Sequence, residues 1–324
     1  MARKKNAEGK KKEEVDKTKM LEDPRGPLVI FADAALGVEK VRVSSQVRLT
    51  HLGKRNMFCP QTDELRKRAA ELEEWVDNRV AQLVESHPAA HWFNRVKGTG
   101  GEMIGKTLGL IQGFGRFYEP SDPMIPPYVK REPVMTFVKK DEKFVEKPMV
   151  WVSAIERFPT PSKLRKFAGL VPGLRKVAGK KLEYNDELKM MLWRLGGSFL
   201  KSRNKYAQFY DRYKQYLLDS FKGKGIKVVP TPLGRYCKVC DKEVNMKAAL
   251  HCPICNEKLS LKQEPEGVMF EGHVHLMAQR RMMQLFLNHL WVVWREAEGL
   301  PLREPYPMEH GHSGLITPEE MCDN

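Results

Sequence analysis

A chain of 324 residues, 41% hydrophobic and 30% charged, is long enough for roughly two domains and apolar enough to give each a core, which excludes a wholly disordered or fibrous protein. Its 56 Lys and Arg against 41 Asp and Glu leave a net charge of +15, favouring a polyanionic partner, nucleic acid ahead of an anionic membrane. No apolar run approaches the roughly 20 residues needed to span a bilayer, and the lysine-rich start has no apolar core of a signal peptide, so a cytoplasmic location is expected.

Residues 1 to about 25 alternate Lys with Glu and carry few apolar side chains, so they are predicted to form a disordered basic arm. Segment 26–60 reads as a short β segment. Residues 28–31 form an apolar run, and Val41, Val43, Val47 and Leu49 alternate with Arg42, Ser44 and Arg48. Segment 61–90 reads as a long helix. Thr62-Asp-Glu-Leu65 is a cap signal, and Leu65, Ala69, Leu72, Val76, Val80 and Leu83 step by four and three. Such a coiled-coil seam can pair with a second copy, giving a homo-oligomer, or with another helix of the same fold. His87-Pro88 ends it.

The domain that follows is placed at 91–222. Between Trp92 and Ile111 the chain reads WFNRVKGTGGEMIGKTLGLI, an apolar residue, a glycine turn and a helical pattern. This spelling suits a helix-hairpin-helix clamp. Gly98, Gly100 and Gly101 would let the backbone turn with positive φ and approach a phosphate, while the next helix begins with unpaired N–H groups. A plain helix-to-helix turn is the competing reading of that stretch. An excursion rich in proline and glycine is expected at 113–150, including a β-hairpin around Val134-Met-Thr-Phe-Val138. Helices resume at Thr160-Pro-Ser162, at about Asn185 and at Asn204, the last with Tyr206, Phe209, Tyr210, Tyr213 and Leu217 along one core-facing side. Between Lys163 and Lys205 there are 12 basic and 3 acidic residues, which concentrates the positive charge in one footprint.

Cys237-Lys-Val-Cys240 and Cys252-Pro-Ile-Cys255 are two matched pairs in a segment placed at 230–262. The two-residue gap lets both thiolates of a pair reach one ion, and the intervening residues allow a β-hairpin that brings the pairs together. A structural Zn2+ ribbon is therefore expected, its four thiolates filling the coordination sphere. His251 is surplus, and His273, His275 and His289 read as a helix-start pair and a core histidine. An apolar helix at 267–298 and a tail at 299–324 complete the chain. The expected fold class is mainly α: a helix-hairpin-helix-containing helical domain after a coiled-coil-like helix, with a β/zinc-ribbon insertion and a short N-terminal β segment.

Four stretches, SHPAAHWFNRVKGTGGEMIGKTLGLI, IERFPTPSKLRKFAGLVPGLRK, KKLEYNDELKMMLWRL and NKYAQFYDRYK, resemble in order the C-terminal domain of DEDD-type insertion-sequence transposases. Some of those recombinases are guided by a bridge RNA, and they are related to pilin-gene invertases. The resemblance implies a domain that grips the sugar-phosphate backbone of DNA, after a helix that supports assembly. The phosphate-neutralising residues would be Lys97, Lys106, Arg165, Lys166, Arg175, Lys176, Lys180, Lys181 and Arg194. The departures are as informative. Only about 60 residues precede the long helix, too few for the family's RuvC-like catalytic domain, and Asp33 stands without carboxylate partners. The family's nucleophilic serine follows the Ala-Gly-Leu-x-Pro motif. After Ala168-Gly-Leu-Val-Pro172 no serine occurs until Ser198. The expected function is thus a DNA-binding protein without its own strand-transfer chemistry. The alternatives are a recombinase subunit that takes a catalytic domain in trans, a structured-RNA-binding protein, and an oligomeric scaffold.

Overall fold

The computed structural model describes residues 22–140, 143–174, 176–232, 234–244, 250–261, 263–302 and 315–323. The expected basic arm lies outside them except for its last four residues. The protein is mainly helical, and no helix among the described residues is long and apolar enough to cross a membrane.

Two long helices open the fold, α1 (Pro27–Gly53) and α2 (Pro60–Val84), joined by a short turn. The expected β segment at 26–60 is thereby corrected. The sequence offers valines at alternate positions, but Val41, Val43 and Val47 are exposed, while Leu28, Val29, Ala32, Ala35 and Leu36 follow a helical stripe and are buried. Tertiary contact overrides β propensity here. Proline at the first turn of each helix removes an N–H that would have had no partner. Consequently α2 starts at Pro60, two residues ahead of the cap read at Thr62.

The seam of α2 is divided. Ala69, Val76, Val80 and Val84 are buried within the fold, whereas Leu65 and Leu72 remain about half exposed, beside an exposed Trp75. Arg42 of α1 pairs with Glu73 of α2 at their contact.

After the four-residue helix α3 (Ala90–Phe93) and a glycine turn, α4 (Gly101–Gln112) runs through the centre of the helical layer. It packs on α1, α2 and the later helix α7 (Asp186–Ser202). Glycine permits that crowding. A Cβ at Gly109 would stand 2.4 Å from the Ala32 Cβ and 2.9 Å from the Leu28 carbonyl oxygen, so no larger residue fits between α4 and α1.

The excursion is a three-stranded antiparallel sheet, ordered β1 (Arg116–Tyr118), β3 (Lys143–Val152), β2 (Val134–Lys140), and the expected hairpin is its β2–β3 pair. Short helices α5 (Ala154–Arg157) and α6 (Pro161–Phe167) return the chain to the helical layer. Ser153 and Glu156 cap α5 reciprocally. The core is completed by α7, by α8 (Lys205–Gly223) and by α9 (Glu271–Ala297). Asn185 and Asn204 cap α7 and α8. Strand β4 (Lys227–Val229) pairs in parallel with β8 (Val268–Phe270), so the cysteine-bearing segment leaves and re-enters at neighbouring points.

Candidate nucleic-acid interface and metal centre

The glycine turn is built by its neighbours as much as by its own sequence. Gly98 and Gly100 have φ of 83° and 51°, values that disfavour any residue with a Cβ. A Cβ at Gly98 would also stand 2.6 Å from the Ser202 Oγ. Ser198 Oγ donates to the Gly98 carbonyl at 2.8 Å, and Asn204 Nδ2 donates to the Lys97 carbonyl at 2.6 Å. Ser198, the first serine after the Ala-Gly-Leu-x-Pro motif, thus ties α7 to the turn. These bonds join the turn to the α7–α8 corner and assemble one basic edge: Lys97, Lys201 and Arg203 are exposed there, and Lys205 is half-buried. Of the last three, the sequence reading marked none as a contact residue.

An anion already sits against this edge. The Asp323 carboxylate accepts the Lys97 backbone N–H at 2.8 Å and the Lys205 backbone N–H at 3.1 Å. Lys205 is the first residue of α8, where unpaired N–H groups and the helix dipole favour negative charge. Asp323 is held by the segment 315–323, which packs Met321 and Cys322 into the core. Its carbonyls at Pro318 and Ile316 accept from Trp92 Nε1 at 3.1 Å and face His289 Nε2 at 2.9 Å. This segment was read only as a tail. Thr317-Pro-Glu-Glu320 does spell a capping box, and both of its hydrogen bonds are present.

The residues expected to neutralise phosphate separate into three groups. Lys166, Lys176, Lys180 and Lys181 are exposed, as is Lys97, and Lys166 faces Glu183 at 3.7 Å. Lys106 is a correction. Its side chain is 2% exposed, with Nζ 2.7 Å from Asp77 Oδ1 and 2.6 Å from Glu102 Oε1, so it cannot meet a phosphate from solvent. Burial works against its charge, but the two carboxylates outweigh that and leave its pKa raised. Arg194 is exposed and forked on Glu39 at 2.7 and 2.8 Å. Arg165 is half-buried, and desolvation, with Arg281 nearby, lowers its pKa. Arg175 lies outside the described residues. Gly101 begins α4 and sits against Ala81, and its exposed position leaves the start of α4 open to solvent. Asp33 is exposed on α1 and not on a strand.

The second centre is the cysteine cluster. Strands β5 (Arg235–Cys237), β6 (Lys242–Val244) and β7 (Ser260–Leu261) form a small antiparallel sheet around it. The Sγ atoms of Cys237, Cys240, Cys252 and Cys255 all lie within 4.8 Å of one another. Each pair makes a similar turn. The residue after it, Asp241 or Asn256, has positive φ (51° and 59°), and a backbone N–H inside each pair points at the leading sulfur at 3.5 Å. Backbone N–H groups of Cys255 and Ile254 bring the Cys252 thiol down to about 7. Among the described residues, only Val244 and Leu259 are buried alongside these cysteines, a small apolar core. Four soft donors at this spacing fit one tetrahedral metal ion.

The histidines behave as read. His289 lies between the Tyr206 hydroxyl at 2.7 Å and the Ile316 carbonyl, His275 meets the Tyr210 hydroxyl at 2.6 Å, and His273 meets Glu264. Among the described residues, the four cysteines alone cluster as metal ligands.

Compared with protein-family models, curated proteins and solved structures, the chain finds no match.

Proposed function

We propose that this protein is a transposase-related DNA-binding protein that grips the sugar-phosphate backbone without strand-transfer chemistry of its own. The observation that carries this reading is the basic edge where the Gly98–Gly100 turn meets the α7–α8 corner, with Lys97, Lys201 and Arg203 exposed around backbone N–H groups that hold a carboxylate. Exposed lysines at 176, 180 and 181, ahead of the start of α7, add to the positive charge of the segment. The helix-hairpin-helix clamp is the interpretation of α3, the turn and α4 that matches this chemistry. Contacts of this kind follow the backbone and not the bases, and each releases counterions.

The experiment is a salt series on duplex DNA. Affinity should fall by orders of magnitude between about 50 and 200 mM salt. Replacing Lys201 and Arg203 by Glu should weaken binding and flatten the slope. Salt-insensitive binding, or affinity unchanged by this reversal, defeats the reading. Structured RNA at equal salt is the comparison that discriminates an RNA-binding role.

Zn2+ is the ion assigned to the cysteine cluster, in a structural role because four thiolates leave no open coordination position. The exposed half of the α2 seam, Leu65 and Leu72 with Trp75, is assigned to homo-oligomer contact. Leu72→Glu should convert a dimer to a monomer in light scattering, and an unchanged mass would exclude that face.

A further inference from the structure

A cleft of about 740 Å³ opens between the C-terminal end of α4, the loop 123–128 and the start of α6, away from the Gly98–Gly100 turn. Its floor is aromatic. Phe114 stacks on Phe158 with centroids 5.0 Å apart and planes 9° from parallel, and Phe167 lies 4.5 Å from Phe114. The Arg157 guanidinium lies over Phe114, 3.8 Å from its centroid, and donates to the Phe114 carbonyl. Arg295 is buried at the back of the cleft and, among the described residues, donates to neutral oxygens, including Ile155 at 2.8 Å and Pro301 at 2.8 Å.

Burial lowers the Arg157 pKa with no carboxylate acting on it, whereas Arg295 acts on the Glu298 carboxyl. Lys163 and Lys166, both exposed, stand on the rim, where Glu183 is the sole lining carboxylate among the described residues. Arg157 and the two rim lysines thus outnumber the lining carboxylate, which Lys166 faces at 3.7 Å. Low-dielectric walls amplify this imbalance, and it selects a ligand that is flat, apolar on its faces and negatively charged at one end.

We infer that this cleft is a nucleotide subsite, which takes a base against its apolar and aromatic lining, including Phe167 and Met124, and its phosphate between Lys163 and Lys166. It extends the DNA-binding reading, because Lys166 belongs to the same basic segment as the backbone lysines. The nucleotide it takes is an unpaired one within a strand. Bases stack on aromatic rings and guanidinium planes without needing hydrogen-bond readout.

The test uses the full chain and two otherwise identical duplexes, one fully paired and one with a single bulged 2-aminopurine, together with free deoxyadenosine monophosphate. The bulged duplex should bind about tenfold more tightly than the paired one, with quenched 2-aminopurine fluorescence. That preference should vanish in the rim reversal Lys163→Glu/Lys166→Glu and in Met124→Trp, which fills the cleft from an exposed wall residue without changing charge. Saturable binding of the free mononucleotide alone, abolished by Met124→Trp, supports the subsite and assigns it a free ligand, even where duplex binding fails. Equal affinity for both duplexes with no mononucleotide binding overturns the subsite and leaves the backbone-binding reading intact. A preference that survives both variants overturns it as well.

Discussion

The carboxylate of Asp323 accepts the backbone N–H of Lys97 at 2.8 Å, so two residues 226 positions apart close the glycine turn between them. The same carboxylate reaches the N–H of Lys205, and Asp323 donates its own N–H to the Arg95 carbonyl at 2.8 Å. Under the proposed function, the chain supplies an anion at the N–H groups that would otherwise be open to a phosphate. Asp323→Asn should lose about 1–2 kcal/mol of stability, since charge-assisted bonds to two donors become neutral ones. Under the proposed function it should also raise DNA affinity a few-fold by removing a competing negative charge. Denaturant midpoints and binding isotherms measured on one preparation check both signs, and weaker DNA binding would show that the tail supports the interface.

Lys106 is expected to matter for folding and not for binding. Lys106→Met leaves Asp77 desolvated without its cation, and removing one partner of a buried pair costs about 3–5 kcal/mol. Asp77 is already held above the usual carboxylate range by burial, so in that variant it should take up a proton at higher pH still. A second variant, Lys106→Met with Asp77→Asn, should recover part of the loss. DNA affinity of the refolded single variant should match the parent at equal folded concentration; a large drop would return Lys106 to the interface.

Two buried histidines make stability depend on acid pH. Burial brings both His87 and His289 down to about 4, against an ordinary value near 6.5. Each is neutral in the folded protein and takes a proton more readily when unfolded. Their contribution is therefore fully present above pH 6.5 and is lost as pH falls toward 4, by up to roughly 3 kcal/mol per histidine. Urea midpoints between pH 7 and 4.5 should fall steadily. His289→Gln should flatten the profile, and a profile identical to the parent's would contradict the assignment. The hydrogen bonds to Tyr206 and Ile316 explain why His289 stands in the core at all.

Metal removal should act locally. One Zn2+ per chain is expected by elemental analysis, and it should be lost when the thiols are blocked. Cys252→Ser should abolish stoichiometric binding while leaving far-UV helical signal nearly unchanged, because α9 and α8 pack on the main core and not on the cysteine sheet. Global unfolding on chelation would instead make the ion part of the main core.

Much of the fold is legible because its signals are local. The cap residues Asn185 and Asn204, the hairpin at 134–152 and the two cysteine pairs each specify their geometry within a few residues. Segment 26–60 is not legible in that way. Its valines spell a strand, and it becomes α1 because Ala32 and Ala35 meet partners more than 40 residues away, one of them across Gly109.

For the candidate site, the sequence by itself determined the thiolate set, the glycines of the turn and the positive balance of 163–205. These are matters of residue type and short spacing. Only the tertiary structure decided which cations face water: Lys106 is buried against Asp77 and Glu102, whereas Lys201 and Arg203, the latter 3.8 Å from Asp211, join Lys97 at one edge. It also decided that Asp323 accepts the Lys97 and Lys205 backbone N–H groups. A charge is attracted to whatever lies nearest in space, and in a helical layer the nearest group is set by packing between elements far apart in the chain.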